Sequence, residues 1–177
     1  HEKVLTTFKE SRIINLQTVE TTKAGTMSFN IAHLFGNIGV NSNGGVHTLY
    51  GLDNVSDIRF GFDFGLTKDL TIGIGRSKMS ELVDGLVKYR LLTQTSDNHM
   101  PVSIAYYGDM SYNPQQKTTF YNGVDPNYKQ KEIQRVSYCS ELLIARKFGN
   151  RLSIEIAPIY QHRNYVLANV NATNGAK

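Results

Sequence analysis

The chain contains one cysteine, four prolines, no tryptophan and no long apolar run. The single Cys139 cannot form an intrachain disulfide and has no metal-ligand neighbours, so we expect it to pack inside a strand. Because no stretch of about 18 apolar residues is present, the sequence excludes a transmembrane helix. Charged residues make up 19% of the chain, which is low for a small soluble protein. The length of 177 residues predicts a single domain.

The charge distribution and the motif content exclude several kinds of function. The net charge is +4, but the basic residues are scattered, so no nucleic-acid partner is expected. No Gly-x-Ser-x-Gly motif and no phosphate-binding loop occur, so we predict no catalytic residues and no enzyme activity. We expect no metal and no other cofactor. The five histidines lack the spacing of a preformed zinc site; they are His1, His33, His47, His99 and His162.

What the sequence does contain is a strict alternation over Asp57–Leu66, DIRFGFDFGL. Ile58, Phe60, Phe62 and Phe64 fall on one face of a strand, and the intervening positions are charged or glycine. Successive side chains of a strand point to opposite faces, so one face is apolar and the other is polar or small. A soluble β-sandwich gives a similar string, with its apolar face turned inward.

The alternation recurs in seven segments of about 10 residues, which favours a transmembrane β-barrel with an apolar lipid face and a polar lumen. The connections at one end are short, and three of the four at the other end are long. Outer-membrane barrels have this asymmetry, with short periplasmic turns and longer extracellular loops. We therefore predict an all-β, up-and-down antiparallel transmembrane β-barrel. Its segments are 26–35, 57–66, 70–75, 82–92, 101–112, 136–148 and 152–160.

The alternation assigns side chains to the two sides of the predicted barrel. The predicted lipid-facing residues are Phe60, Phe62, Ile72, Ile74, Val87, Ile104, Ile144 and Ile154. The predicted lumen-lining polar residues are Arg59, Asp63, Asp84, Lys88, Arg90, Asp109, Glu141 and Glu155. These charges either select solutes as a pore lining or pair across neighbouring strands and fill the barrel. We favour filling, because a barrel of about 8 to 12 strands leaves little open channel.

Two regions are predicted along the chain. Residues 1–25 alternate poorly and form an N-terminal segment that lies at the periplasmic mouth or lines and plugs the lumen, and residues 26–177 form the barrel strands and loops. In a rival interpretation, Arg12–Glu20 is itself a strand, which makes eight. Seven spans is an odd number, whereas bacterial single-chain barrels have an even number. We therefore expect these strands to be a portion of a larger barrel.

Four motifs carry a resemblance to a known family; they are Arg12–Ile14, Ala32–Gly36, Gly51–Asn54 and Ile74–Ser77. Together with the phrases FKESRIINLQTVETTKAGTMSFNIAHLFGNI, DGLVKYRLLTQ and MPVSIAYYGDM, they resemble a family of membrane-bound β-barrels of unknown function found in Bacteroidota. The resemblance spans about residues 5–165, and Leu34 departs from it where a basic residue is expected. It implies an outer-membrane barrel, no assigned catalytic residues, and more strands after Ile154–Tyr160.

Three functions are compatible with these patterns. The first is an integral barrel of the bacterial outer membrane, either porin- or channel-like or a structural component of an envelope complex, with outer-membrane lipid and other envelope proteins as partners. The second is a soluble, lipocalin-like barrel that binds an apolar ligand. The third is an outer-membrane enzyme, for which only Ser77, Ser80, Asp84 and His47 could be collected, without motif context. The chain starts at His1, so we expect a processed secretory protein whose signal peptide is removed.

The register of the second segment generates a first prediction. An Arg or Lys at the bilayer midplane costs about 2–4 kcal/mol on the lipid face of a barrel. Phe62→Arg should therefore block assembly, whereas Asp63→Arg should be better tolerated. The measurement is the yield of folded protein in the membrane fraction. Equal yields for the two variants would contradict the register, because a shift of one residue exchanges the two faces.

Overall fold

The computed structural model of the chain describes residues 2–14, 16–35, 45–51, 55–116 and 131–164. Most of the predicted long loops, and the tail 168–177, lie outside these residues. Short 3-10 turns occur at Gly45–Gly51, Met79–Glu81 and Glu132–Arg135. The strands are β1 Arg12–Ile13, β2 Leu16–Gln17, β3 Met27–Phe35, β4 Val55–Gly65, β5 Leu70–Ser77, β6 Val83–Leu92, β7 Ser103–Tyr112, β8 Val136–Lys147, β9 Ser153–Ile156 and β10 Ile159–Arg163.

Strands β3 to β8 pair antiparallel, each with the next one along the chain. β9 and β10 both pair with β8 and form a seventh, interrupted span. The seven spans make half of a barrel, which confirms the predicted all-β, up-and-down antiparallel architecture. Six of the predicted segments agree with β3 to β8 to within two residues at each end. In the described part of the chain, the outer edges of β3 and of β9 and β10 pair with no other strand.

The seventh predicted segment, 152–160, was expected to be one strand, and this expectation is wrong. The strand ends at Ile156 and a new one begins at Ile159. Pro158 has no N–H to donate to the ladder, which explains an interruption at this point. Its carbonyl still accepts a hydrogen bond from Leu142 N at 3.1 Å, so β8 keeps its pairing across the break.

The two surfaces of the half-barrel differ in kind. We call outer face the surface that carries Phe62 and Ile74, which are 38% and 53% exposed. We call inner face the opposite surface, on which Asp63 and Lys88 are only 4% and 2% exposed. The inner face also holds a small apolar cluster that the alternation did not predict; it comprises Val19, Leu86, Ala105, Tyr107, Leu143 and Ala145. No helix within the described residues is long and apolar enough to cross a membrane.

Residues 2–14 and 16–25 cross the inner face, and we call them the N-terminal strap. The rival interpretation of Arg12–Glu20 as a spanning strand is wrong, because the strands among the described residues of this part are the two-residue β1 and β2, which pair with each other and with no strand of the barrel sheet. The strap joins β3 through a turn at Gly25, where φ is +71° and glycine is favoured. Gly25 N donates to Gly65 O at 2.8 Å, and this contact fixes the turn against the end of β4.

The turn at Gly25 packs against a position at the end of β4 that leaves no space for a side chain. This generates a second prediction. A Cβ atom on Gly65 would overlap the main-chain carbonyl oxygens of Thr22 and Lys23. A Cβ atom on Gly85, also in a strand, would meet only Gly73 O at 4.0 Å. We expect Gly65→Ala to lower the free energy of unfolding by about 1–3 kcal/mol, as overpacking does, and Gly85→Ala to leave it unchanged or higher.

The measurement is urea unfolding of the detergent-solubilised protein, with Gly85→Ala as the matched control. If Gly65→Ala unfolds at the same urea concentration as the wild-type protein, the turn does not pack against β4.

Candidate functional site

The hydrogen-bond register sets the predicted polar residues in rows across the inner face. Asp63 on β4 lies opposite Gly73, which lies opposite Leu86, which lies opposite Asp109 on β7. Residues opposite one another on neighbouring strands share a face. The eight predicted lumen-lining residues all fall on this face: Asp63, Asp84 and Lys88 are buried, and the others, which are partly buried, are Arg59, Arg90, Asp109, Glu141 and Glu155.

The predicted lipid-facing residues fall on the outer face. Ile104 and Ile144, which lie opposite each other on β7 and β8, are partly covered there. The remaining six are exposed; they are Phe60, Phe62, Ile72, Ile74, Val87 and Ile154. On the part of the outer face near Phe29, the rings of Phe29 and Phe62 stack with centroids 4.8 Å apart.

Arg59 and Asp84 form an ion pair that spans three strands. Arg59 Nε donates to Asp84 Oδ1 at 2.9 Å, and its Nη2 donates to Asp84 Oδ2. The pair reaches from β4 to β6 over Gly75 of β5, where a Cβ atom would lie 2.6 Å from Asp84 Oδ2. A Cβ atom on Gly61 would lie 2.6 Å from Arg59 Nη1. These two glycines therefore leave the space in which the guanidinium lies flat along the inner face.

Asp63 is the most buried carboxylate of the inner face. Its Oδ2 accepts a hydrogen bond from Asn30 Nδ2 at 3.0 Å and lies 3.6 Å from Arg12 Nη2 of the strap. Its Oδ1 has no hydrogen-bond partner among the described residues and lies over Gly73, where a Cβ atom would be 2.5 Å away. Gly73, like Gly75, therefore accommodates a charged side chain from the neighbouring strand.

Lys88 and Arg90 of β6 bind the strap. Lys88 Nζ donates to Ser11 O at 2.7 Å and to Glu20 O at 3.1 Å. Arg90 Nε donates to the carbonyl of Val19, and its Nη2 contacts Glu20 Oε2 at 3.1 Å. A buried ammonium needs strong acceptors. In this chain, main-chain carbonyls of the strap supply them.

Residues of β8 and β9 bind the same segment from the other side. Glu155 Oε2 accepts a hydrogen bond from Val19 N at 2.9 Å. Ser153 Oγ donates to Thr7 O at 2.7 Å, and Lys147 Nζ donates to Thr6 O at 2.8 Å. The strap is therefore attached to the sheet on both sides of the inner face.

A cavity of about 330 Å³ lies between the strap and the long-connection end of the sheet. Four carboxylates and two guanidinium groups line it, so its formal charge is negative; they are Asp57, Asp84, Asp109, Glu141, Arg12 and Arg59. Asp84 is paired with Arg59, and Asp57 accepts a hydrogen bond from Met79 N at 2.7 Å. Among the described residues, Asp109 and Glu141 form no ion pair within 4.0 Å. They are the acidic groups available to a cation in the cavity.

The sequence did not identify the strap residues that complete this site. Arg12 and Glu20 form ion pairs with the sheet, and Val19 is 1% exposed within the inner apolar cluster. The poor alternation of residues 1–25 was the available signal, because it argued against a regular strand, although a strand over Arg12–Glu20 was left open. The hydrogen-bond partners of Lys88 are main-chain oxygens, so the pattern of side chains along the sequence could not predict them.

The inner face has the wrong chemistry for one of the sequence-based alternatives. A lipocalin-like barrel that binds an apolar ligand requires a largely apolar interior, whereas charged side chains and a polar strap occupy this one. Among the described residues, no three His, Cys, Asp or Glu side chains are grouped so that they could hold a metal ion.

The family described as "Membrane bound beta barrel domain (DUF5777)" matches residues 8–176, which includes all ten strands and most of the strap. No curated protein and no solved structure is significantly similar to the chain.

The ion pair over Gly75 generates a third prediction. Removing one partner of a buried pair leaves the other charge without compensation. In a double-mutant cycle with Arg59→Met and Asp84→Asn, we expect each single variant to be destabilised and a coupling of about 0.5–3 kcal/mol. Urea unfolding in detergent measures it. Lys68→Met is the control, because the Lys68 side chain is 78% exposed and lies 4.0 Å from Asp69. Additive effects of the two single variants would show that the pair does not stabilise the sheet.

Proposed function

We propose that this chain, which belongs to the family of membrane-bound β-barrel domains, lies in a bacterial outer membrane and forms a channel for small cations. The observation that carries the proposal is a polar, net acidic cavity on the inner face of a sheet whose outer face is apolar and exposed. The proposal includes no catalytic step, cofactor or nucleic-acid partner.

The outer face supports the membrane part of the proposal. Large exposed apolar patches on a protein mark contact with a membrane or a partner. Here they extend over all the spans, from Phe29 on β3 to Ile154 on β9. Strands β3 to β8 have 8–12 residues each, close to the length that crosses a bilayer when tilted. Outer-membrane lipid is then the partner of this face.

The charges of the cavity support cation passage. A ring of carboxylates at a constriction favours cations. Asp109 and Glu141 contribute such groups without cationic partners, and the guanidinium of Arg59 is neutralised by Asp84. The resemblance to barrels of Bacteroidota agrees with an outer-membrane location.

Planar-bilayer recording of the purified full-length protein tests the proposal. Stepwise conductance with a reversal potential that favours K⁺ over Cl⁻ would support it. A silent bilayer at all voltages, both for this protein and for the Lys88→Met variant that loses two bonds to the strap, would contradict channel activity and favour the structural role in an envelope complex.

The unpaired carboxylates generate a fourth prediction. Asp109→Asn combined with Glu141→Gln removes two negative charges from the cavity with little change of shape. We expect the reversal potential under a KCl gradient to shift toward the Cl⁻ equilibrium potential, because the remaining lining is close to neutral. Glu81→Gln is the control, since Glu81 pairs with Arg76 outside the cavity. An unchanged reversal potential in the double variant would place the ion path elsewhere.

A further inference from the structure

We infer that the N-terminal strap closes the lumen and turns about a hinge. Side chains of the sheet hold the strap by its main-chain atoms, and release of the strap opens the pathway. This inference rests on the proposed channel function and adds a regulatory element to it. It follows from the path of the strap, from the atoms that bind it and from the difference between its two ends.

The strap crosses the whole inner face. It contacts Thr95 beyond the end of β6 through Lys3, β9 through Thr7 and β4 through Gly25. Between these points the side chain of Val19 enters the inner apolar cluster. A solute that moves along the inner face meets this segment, and the 330 Å³ cavity lies on one side of it.

The sheet recognises main-chain atoms of the strap. Lys88, Lys147 and Ser153 donate to carbonyl oxygens of the strap, and Glu155 accepts from a main-chain N–H. Charged groups make the strongest of these bonds. The same side chains become solvent-exposed and lose their partners when the strap leaves, so they set the balance between the closed and open states.

The two ends of the strap are attached differently. At the β3 end, Thr22 N donates to Thr71 Oγ1 at 2.8 Å, and the following turn packs against Gly65. This end continues directly into the barrel. At the other end, the isolated Lys3–Thr95 bridge and the side chains of Lys147 and Ser153, which bind the carbonyls of Thr6 and Thr7, hold residues 2–7. This end is in no paired strand of the sheet, and Leu5 is 90% exposed. The geometry makes Thr22–Gly25 the hinge and residues 2–7 the end that detaches.

A disulfide across the Lys3–Thr95 bridge locks the detachable end. Val4 N donates to Gln94 O at 2.8 Å and Ser96 N donates to Glu2 O at 2.9 Å. Lys3 and Thr95 are therefore a non-hydrogen-bonded antiparallel pair, whose Cα separation of about 4.5 Å suits a disulfide. The background is Cys139→Ser, which removes the one native thiol, combined with Lys3→Cys and Thr95→Cys.

The fifth prediction compares this disulfide with a substitution that weakens the binding of the strap to the sheet. In the Cys139→Ser background, Lys88→Met should raise the open probability in planar bilayers by about tenfold or more, because two charge-assisted hydrogen bonds to the strap are lost. Adding the Cys pair should abolish the increase under oxidising conditions, and a reductant should restore it. Lys68→Met is the matched control and should behave as the background. An open probability that neither Lys88→Met nor the lock changes would overturn the inference.

A second readout separates the failure of the closure from the failure of the channel. Gln17 of the strap is 8% exposed, so Gln17→Cys in the Cys139→Ser background should react slowly with a charged thiol reagent. Lys88→Met should accelerate the labelling by about tenfold. If labelling accelerates but no variant conducts, the strap detaches and the channel proposal is wrong. If variants conduct but labelling stays slow, the closure is wrong.

Should Lys88→Met fail to assemble, Glu155→Gln takes its place, since it keeps the shape of the side chain and removes the charge that binds Val19 N. Labelling and conductance equal to those of the background would then count against the closure.

Discussion

The constraint on which the structure depends is that a membrane offers no hydrogen-bond partner to a peptide group. Every N–H and C=O within the hydrocarbon must be paired inside the protein, which an antiparallel sheet achieves by ladder bonds between neighbouring strands. The strict alternation of a strand then gives two surfaces, one that can face lipid and one that cannot. In this chain the outer face receives residues such as Phe62 and Ile74. The inner face receives the charged side chains. Each of them needs an ion pair or hydrogen bonds, and the rest of the fold supplies these partners.

Two structural devices supply these partners. Glycines on β4 and β5 leave space for long side chains to lie along the sheet, so Arg59 can reach Asp84 across an intervening strand. The strap supplies main-chain carbonyls to Lys88, which has no carboxylate within 4.0 Å among the described residues. A buried ammonium without acceptors is strongly destabilising. The strap is therefore a part of the electrostatic balance of the sheet as well as an obstacle on the inner face.

The sequence predicted the elements whose signal is local. The boundaries of β3 to β8 and the two faces follow from the period of two, which each strand reports by itself. The role of the glycines did not follow, because it depends on side chains of the neighbouring strands, as with Gly75 of β5 below Arg59 of β4 and Asp84 of β6. The path of the strap did not follow either. Lys88 and Glu155 bind its main-chain atoms, which do not differ between residue types and therefore leave no pattern in the sequence. Leu86 and Leu143 were absent from the expected inner face because the charges on β6 and β8 dominated its pattern.

The proposed channel and its proposed closure use the same groups, yet they place different demands on them. Closing requires Lys88 and Arg90 to bind the strap, and conduction would expose both to the solute. The net charge of the side chains that line the lumen nevertheless stays negative in both states. The two strap side chains that pair with the sheet, Arg12 and Glu20, carry opposite charges, so their departure removes no net charge. Five carboxylates and three cations of the predicted lining remain, with an excess of negative charge. Opening would therefore change how much passes along the inner face, while the preference for cations is set by the sheet itself.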